Sequence, residues 1–431
     1  MKPRQLFLSI LFAALPLIAH AEDLLLTNGD ILDVRRGVIL PAQDILIRDG
    51  IIAAIGPHDS LPTTGDESIV DIAGATLLPG LADAHVHLTV RPTHLGLNEL
   101  EVSTPRATIA GVTAARNTLL AGFTTVRNLG APGFSDIAVR DAINEGDIAG
   151  PRILAAGIAI GITGGHCDNN LLPYEYGYVG GGVADGPWAV REKVRENVKF
   201  GADVIKFCGT GGVLSKGTAI GAQQFTLEEM QAIVDEAHLL GVKAAVHAHG
   251  AAGINTALTA GVDSVEHASL IDDRGIALAK KSGAFLTMDI YVSDYILAEG
   301  AAGGVSEESL AKERSVGRAQ REHFRNAVRR GARIAFGTDA GVYPHGLNAR
   351  QFAYMVEWGM TPIDAIRAAT LNNAELFGLS DRIGEIAVGK AADIIAVDQN
   401  PLTDIRALED VDFVMKDGKV YLNKLHGQET R

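Results

Sequence analysis

The 431 residues carry 47% apolar side chains, enough to bury a large core, either as one big barrel or as two to three smaller domains. A formal charge of −14, with no Lys/Arg block able to neutralise a run of phosphates, argues against nucleic acid as a partner. Only Cys167 and Cys208 are present, which excludes a disulfide framework and a thiolate zinc site, so any metal must be held by histidines and carboxylates.

In chain order, Lys2 and Arg4 precede an apolar run over residues 6–18 and the small-x-small triplet Ala19-His20-Ala21. Residues 1–21 therefore read as a cleaved export signal, and the expected location is periplasmic or secreted. The apolar run falls short of the roughly 20 residues a bilayer span needs, and Pro16 interrupts it. No later segment is long and apolar enough to span. Short strands follow at 24–30, 43–50 and 51–56, with Asn28-Gly29 and Asp49-Gly50 read as hairpin turns. The same texture returns at 393–397 and 413–420. The two β-rich ends, 22–76 and 381–431 with its terminal tail, predict one small β-sandwich assembled from both termini.

Between 77 and 380, apolar runs alternate with amphipathic helical stretches, the pattern of a parallel sheet with crossover helices. Strand centres fall at His85, Thr125, Leu154, Ile205, Val246, Val265, Thr287 and Phe336, the count of a closed (β/α)8 TIM-type barrel in the α/β class. Thr226 with Glu229 three residues on, and Thr361 followed by Pro362, mark helix starts. The Gly- and Asn-rich stretch 161–187 is too long for a simple connection and reads as a functional loop over the barrel mouth.

Period-2 alternation points His85 and His87 to one side of the first barrel strand. His247 and His249 end the fifth strand, His267 the sixth and Asp339 the eighth, all at the C-terminal face where barrel enzymes place their chemistry. Taken singly, a His-x-His pair is equally consistent with satisfied core histidines. Lys206 lies inside the apolar fourth strand, where it must lose its charge, find an anion or snorkel to the rim. In the sharper reading its neutral amine reacts with carbon dioxide to give a carbamate that bridges two metals. Together these side chains form a set of N and O donors suited to zinc or a neighbouring divalent ion. Cys208 shares a face with Lys206, and Cys167 follows the third strand, so the thiols are expected near the mouth. A disulfide is open there, with two free thiols the preferred reading.

The order and strand placement of these residues resemble the amidohydrolase superfamily, in its two-metal branch with a carbamylated lysine. The resemblance spans essentially the whole mature chain. It is carried by Leu78-Pro79-Gly80-Leu81, Gly122-Phe123-Thr124-Thr125-Val126-Arg127, Thr163-Gly164-Gly165-His166, Gly337-Thr338-Asp339-Ala340-Gly341 and the closing run from Gly384 to Asp393. Thr210-Gly211-Gly212, His247-Ala248-His249-Gly250 and Tyr343-Pro344-His345-Gly346 look like Xaa-Pro dipeptidase-like or imidazolonepropionase-like carboxypeptidases, including ochratoxin-hydrolysing relatives. Asn128 departs from the Asp common there, and His249 from the Tyr of some relatives. The resemblance implies two divalent metals, zinc by expectation: one on His85, His87 and Asp339, the other on His247 and His267, with carbamylated Lys206 between. Asp339 is implied as the catalytic proton carrier, and His166, His249, Tyr291 and His345 as substrate-binding residues. The implied substrate is a dipeptide or an N-acyl amino acid such as ochratoxin A, with a free carboxylate, and the implied assembly a homo-oligomer. The alternatives are a lactonase, esterase or cyclic amidohydrolase on the same site, or a non-catalytic binding protein, which should have lost a ligand; none is lost.

Overall fold

The computed structural model describes residues 23–425. The expected export signal, 1–21, lies outside the described residues, as does the terminal tail beyond 425. Among the described residues no helix is long and apolar enough to cross a membrane.

The two β-rich ends meet in one mixed eight-stranded sheet. The joint is made by Thr76–Pro79, which pairs antiparallel with Ile394–Val397 from the far end of the chain, so the sheet runs three residues beyond position 76. Leu26, Ile31, Ile45, Ile47, Leu77, Ile394, Phe413 and Met415 form its separate apolar core. Asp49-Gly50 is the expected hairpin turn: both residues have positive φ, 49° and 76°, the geometry a two-residue type I′ turn demands, and they connect Val38–Arg48 to Ile51–Pro57. Asn28-Gly29 is not a turn. It lies within the strand Leu24–Asp33 as a bulge, where the register to the neighbouring strand shifts, and Asp44 accepts the freed Asn28 N–H at 2.9 Å. A side chain at Gly29 would collide with Leu77.

Two ends of the chain are also clasped by charge. Glu385 accepts from Arg35 through both Nε and Nη2, the latter at 2.8 Å, and Lys390 Nζ approaches it at 2.8 Å. The Arg35 hydrogen bond, opposed by partial burial and reinforced by Lys390, holds the Glu385 carboxyl at about 2, against its ordinary 4.5. A depressed carboxylate stabilises the fold fully above its unfolded pKa and stops doing so as pH falls through its folded one. Glu385→Gln is therefore expected to unfold at lower urea than the wild type at pH 6, with the gap closing between pH 4.5 and 2. A gap independent of pH would show that Glu385 acts by packing alone.

The body holds parallel strands in strict chain order. Leu81–Val86, Phe123–Asn128 and Arg152–Ala155 form one sheet; Val204–Cys208, Lys243–Gly250, Ser264–Leu270, Phe285–Thr287 and Ile334–Ala335 form another. Every expected centre falls within its strand except Phe336, one residue past the end of the last. Isolated parallel bridges pair Val86 of the first sheet with Ala340, five residues beyond the last strand, and Phe207 of the second sheet with Ile160, five residues beyond Arg152–Ala155. Strands such as Leu81–Val86 and Val204–Cys208 are buried at every position, because crossover helices cover the outer face. The helix Leu227–Leu239 starts with a reciprocal capping box between Thr226 and Glu229, and Pro362–Arg367 starts on the Thr361 cap with Pro362 in its first turn, as the residue types require.

Candidate metal centre

The chemistry collects where the parallel strands end, around one cavity of about 680 Å³. Alternation along Leu81–Val86 and just beyond it brings Asp83, His85 and His87 to the same side. His85 Nε2 lies 3.5 Å and His87 Nε2 3.3 Å from Asp339 Oδ1. Asp339 and His267 have positive φ, 58° and 67°, a conformation costly for side chains larger than glycine and persistent only where the surroundings over-determine it. For Asp339 the determinants are visible. Its N–H donates to His85 O at 2.8 Å, while neighbouring Thr338 donates through Oγ1 to Asp83 at 2.6 Å and Asn348 Nδ2 donates to the same oxygen at 2.8 Å. Burial pushes Asp83 up to about 7 in spite of these donors.

The left-handed backbone at His267 also explains a break in alternation. Glu266 and His267 are sequence neighbours, yet both face inward: Glu266 Oε2 lies 3.2 Å from His85 Nδ1, and the His267 ring lies 4.9 Å from that of His85. Ligand atoms of His85, His87 and Asp339 fall within 4.8 Å of one another, as do those of His247, His249 and His267, and those of His267, Asp289 and Asp339. Lys206 lines the same cavity at 4% exposure. Burial, opposed chiefly by Glu266 and Asp339, brings it down to about 8, so it is an enclosed amine and not a rim lysine.

The buried atoms left over point to a cation. His85 Nε2, His247 Nε2 and Asp339 Oδ1 are shielded from solvent without a hydrogen-bond partner, a costly state for polar groups unless something else satisfies them. The donors are imidazole nitrogens and carboxylate oxygens, a set that fits zinc and its divalent neighbours. Second partners fix the orientation of several of the rings. His87 Nδ1 lies 3.3 Å from Gly130 O, His249 Nδ1 2.8 Å from Ser269 Oγ and His267 Nδ1 2.9 Å from Asp289. Engaging Nδ1 leaves Nε2 for the cavity.

A profile of the amidohydrolase family matches residues 76–421. The chain belongs to the amidohydrolase family. It is 34% identical to an ochratoxinase of Aspergillus niger over 434 aligned residues, covering 94% of this chain and 89% of that one. Among solved structures, it is similar to a Xaa-Pro dipeptidase with bound methionine in the active site, with a TM-score of 0.88 and 39% identity over 93% of this chain and 100% of that one. It is also similar to a prolidase complexed with N-methylphosphonate-L-proline, with a TM-score of 0.85 and 30% identity over 93% and 100%. The protein is thus a hydrolytic enzyme.

Not every side chain expected at the site of this amidohydrolase is brought there. His166 and His249 line the cavity. The His166 ring stacks on that of His247 at 4.1 Å, and its Nδ1 lies 2.9 Å from Ser215 Oγ. Gly212 forms the floor beneath it, where a Cβ would sit 2.5 Å from the ring. Tyr291 and His345 do not line the cavity. Tyr291 packs on Tyr343 and Tyr354 and accepts a hydrogen bond from Arg350 Nη1 at 3.1 Å; its neighbour Val292 lines the cavity instead. His345 donates through Nε2 to His87 O at 3.2 Å, and its Nδ1 lies 3.0 Å from Thr118 Oγ1. It supports the backbone of a candidate ligand from behind. The free-thiol reading is also corrected, since Cys167 and Cys208 form a disulfide with Cα atoms 5.8 Å apart, an ordinary separation for a bridge.

Sequence reasoning passed over Asp83, Arg127, Glu266 and Asp289. Arg127, 2% exposed, donates to Glu266 at 2.8 Å, to Ser264 Oγ at 3.0 Å and to Ala84 O at 2.7 Å. Charged residues inside apolar strands were the available signal for Asp83, Arg127 and Glu266, the same signal that picked out Lys206. Asp289 lies beyond its strand and offers none.

Proposed function

We propose that this amidohydrolase holds two divalent metals and cleaves the amide bond to a C-terminal amino acid, as a dipeptidase or carboxypeptidase. The observation that carries the reading is the meeting of His85, His87, Lys206, His247, His267 and Asp339 in one cavity that His166 and His249 also line. His85, His87 and Asp339 would hold one metal and His247 and His267 the other, with Lys206 as a carbamate between. An enclosed amine at about 8 retains a reactive neutral fraction near neutral pH. Bound there, two cations supply Lewis acidity that lowers the pKa of water and polarises a substrate carbonyl.

The protein's own groups do the rest. Burial pushes Asp339 up, but His87, His267 and Lys206 outweigh it and keep the carboxylate below its ordinary range, ready to take a proton from the attacking water and deliver it to the departing amine. His166 is depressed to about 3 and His249 well below its ordinary value, both by burial first. They are therefore neutral, and each can present an N–H to a substrate carboxylate. The same reading takes the two bridged parallel sheets as one closed barrel and the end sheet, folded over its own core, as a sandwich. The disulfide supports export to an oxidising compartment.

Hydrogen bonds to a carboxylate contribute roughly 1.5 to 3 kcal/mol each. Amidating the C-terminus of a good dipeptide substrate is expected to lower kcat/KM by at least about tenfold, the equivalent of roughly 1.4 kcal/mol. Equal turnover of the free and amidated substrates would reject carboxylate reading and leave a general amidase or a lactonase.

A further inference from the structure

His166 is a cavity histidine borne by a loop and not by a strand, and the means of holding it there are specific. The segment 161–187 leaves the sheet at the Ile160–Phe207 bridge, where Ile160 N donates to Lys206 O and Cys208 N to Ile160 O, both at 2.9 Å. Its outer part packs poorly: Tyr174, Tyr176 and Val179 are 95%, 72% and 67% exposed. Inside, His166 N donates to Gln224 at 3.0 Å and the ring meets Ser215, which belongs to another loop. The residue next to His166 is Cys167, covalently tied to Cys208, which lies two positions beyond Lys206 on a fully buried strand. Gly161 makes the approach possible, because a Cβ there would sit 2.7 Å from that of Cys167.

We propose that the Cys167–Cys208 disulfide is a positioning element of the active site, holding His166 against His247 so that substrate affinity depends on the redox state of the pair. The inference rests on the substrate-facing reading of His166 given above. Its chemistry is thiol–disulfide exchange with a dithiol. A reagent thiolate attacks Cys167 Sγ, the S–S bond breaks, and Cys208 leaves as a thiolate that takes up a proton. The second reagent thiol then displaces Cys167, giving two protein thiols and one cyclic reagent disulfide. Cys167 is half-buried at the cavity wall, within reach of a small dithiol.

The test compares the metal-loaded wild type before and after dithiothreitol, with Cys167→Ala as a second route to the same state. Reduction is expected to speed hydrogen exchange across 161–187 and to raise KM for a free-carboxylate dipeptide by at least about tenfold, the loss of one hydrogen bond to a charged group. Metal content and kcat should stay within twofold. Cys167→Ala should match the reduced wild type and be insensitive to dithiothreitol. If KM rises equally for the free and the amidated dipeptide, the positioning role stands and only carboxylate reading fails. Unchanged exchange and unchanged KM overturn the proposal and leave carboxylate reading intact. Metal loss in Cys167→Ala, measured without dithiothreitol because that dithiol itself chelates divalent metals, overturns it too, since the bridge would then be holding the strand of Lys206 and not His166.

Discussion

Lys206→Ala is expected to lose metal and to lower kcat/KM by at least about a thousandfold, the equivalent of roughly 4 kcal/mol. Lys206 is 4% exposed, and Glu266, Asp339 and Asp289 all act on its charge. Removing the amine takes away the group that would become the bridging carbamate and leaves the surrounding carboxylates with one less positive neighbour. Elemental analysis should return close to two divalent ions per chain for the wild type, and fewer for the variant. Chelation of the wild type should abolish turnover. A short-chain carboxylic acid able to occupy the space of the carbamate should restore part of the variant's activity and metal. A variant with two metals and wild-type turnover would reduce Lys206 to a contributor to charge balance.

The second large effect concerns stability. Arg127 and Glu266 form an ion pair at 2.8 Å, with 2% and 0% side-chain exposure. Breaking a buried pair from one side strands the other charge, at a cost of about 3–5 kcal/mol. Glu266→Gln is therefore expected to shift the guanidinium unfolding midpoint far down, since the amide leaves Arg127 without a counter-charge. It should also weaken metal binding, because Glu266 Oε2 faces His85 Nδ1 at 3.2 Å and such outer partners orient the ring and raise its basicity. A double variant, Arg127→Met with Glu266→Gln, separates the two effects. Removing both charges should recover much of the stability, as residues in direct contact are not additive, while metal binding stays weak. Wild-type unfolding of the single variant would show that water or a shifted side chain satisfies Arg127.

Local backbone sterics explain why so much of the centre could be read along the chain. In an extended strand successive side chains alternate, so the placement of His85 with His87, and the enclosure of Lys206, follow from spacing and from the apolar residues on either side. Strand ends with a parallel order then bring His247, His267 and Asp339 to the same rim. The Thr226 and Thr361 helix starts are equally local, since each is a side chain bonding to a backbone N–H three residues away. Asn28-Gly29 marks where that logic stops: the pair favours positive φ in a bulge as readily as in a turn, and the partner strand decides which.

Sequence by itself thus placed seven of the eight strand centres inside their strands and picked out most of the donors that gather in the cavity, a set that could bind a metal, because each depends on residue type and on a period of two. Tertiary structure alone decided the rest. The inward turn of His267 depends on a left-handed backbone at φ 67°, which period-2 alternation does not describe. Tyr291 and His345 lie on connections with no period to fix their direction; packing against Tyr343 and hydrogen bonding to His87 O drew them out of the cavity. Glu266 and Asp289 matter through His85 and His267 on other strands, and Cys167 meets Cys208 across 41 positions of sequence. Those are distances between separate strands and loops, set only when the sheets close up side by side.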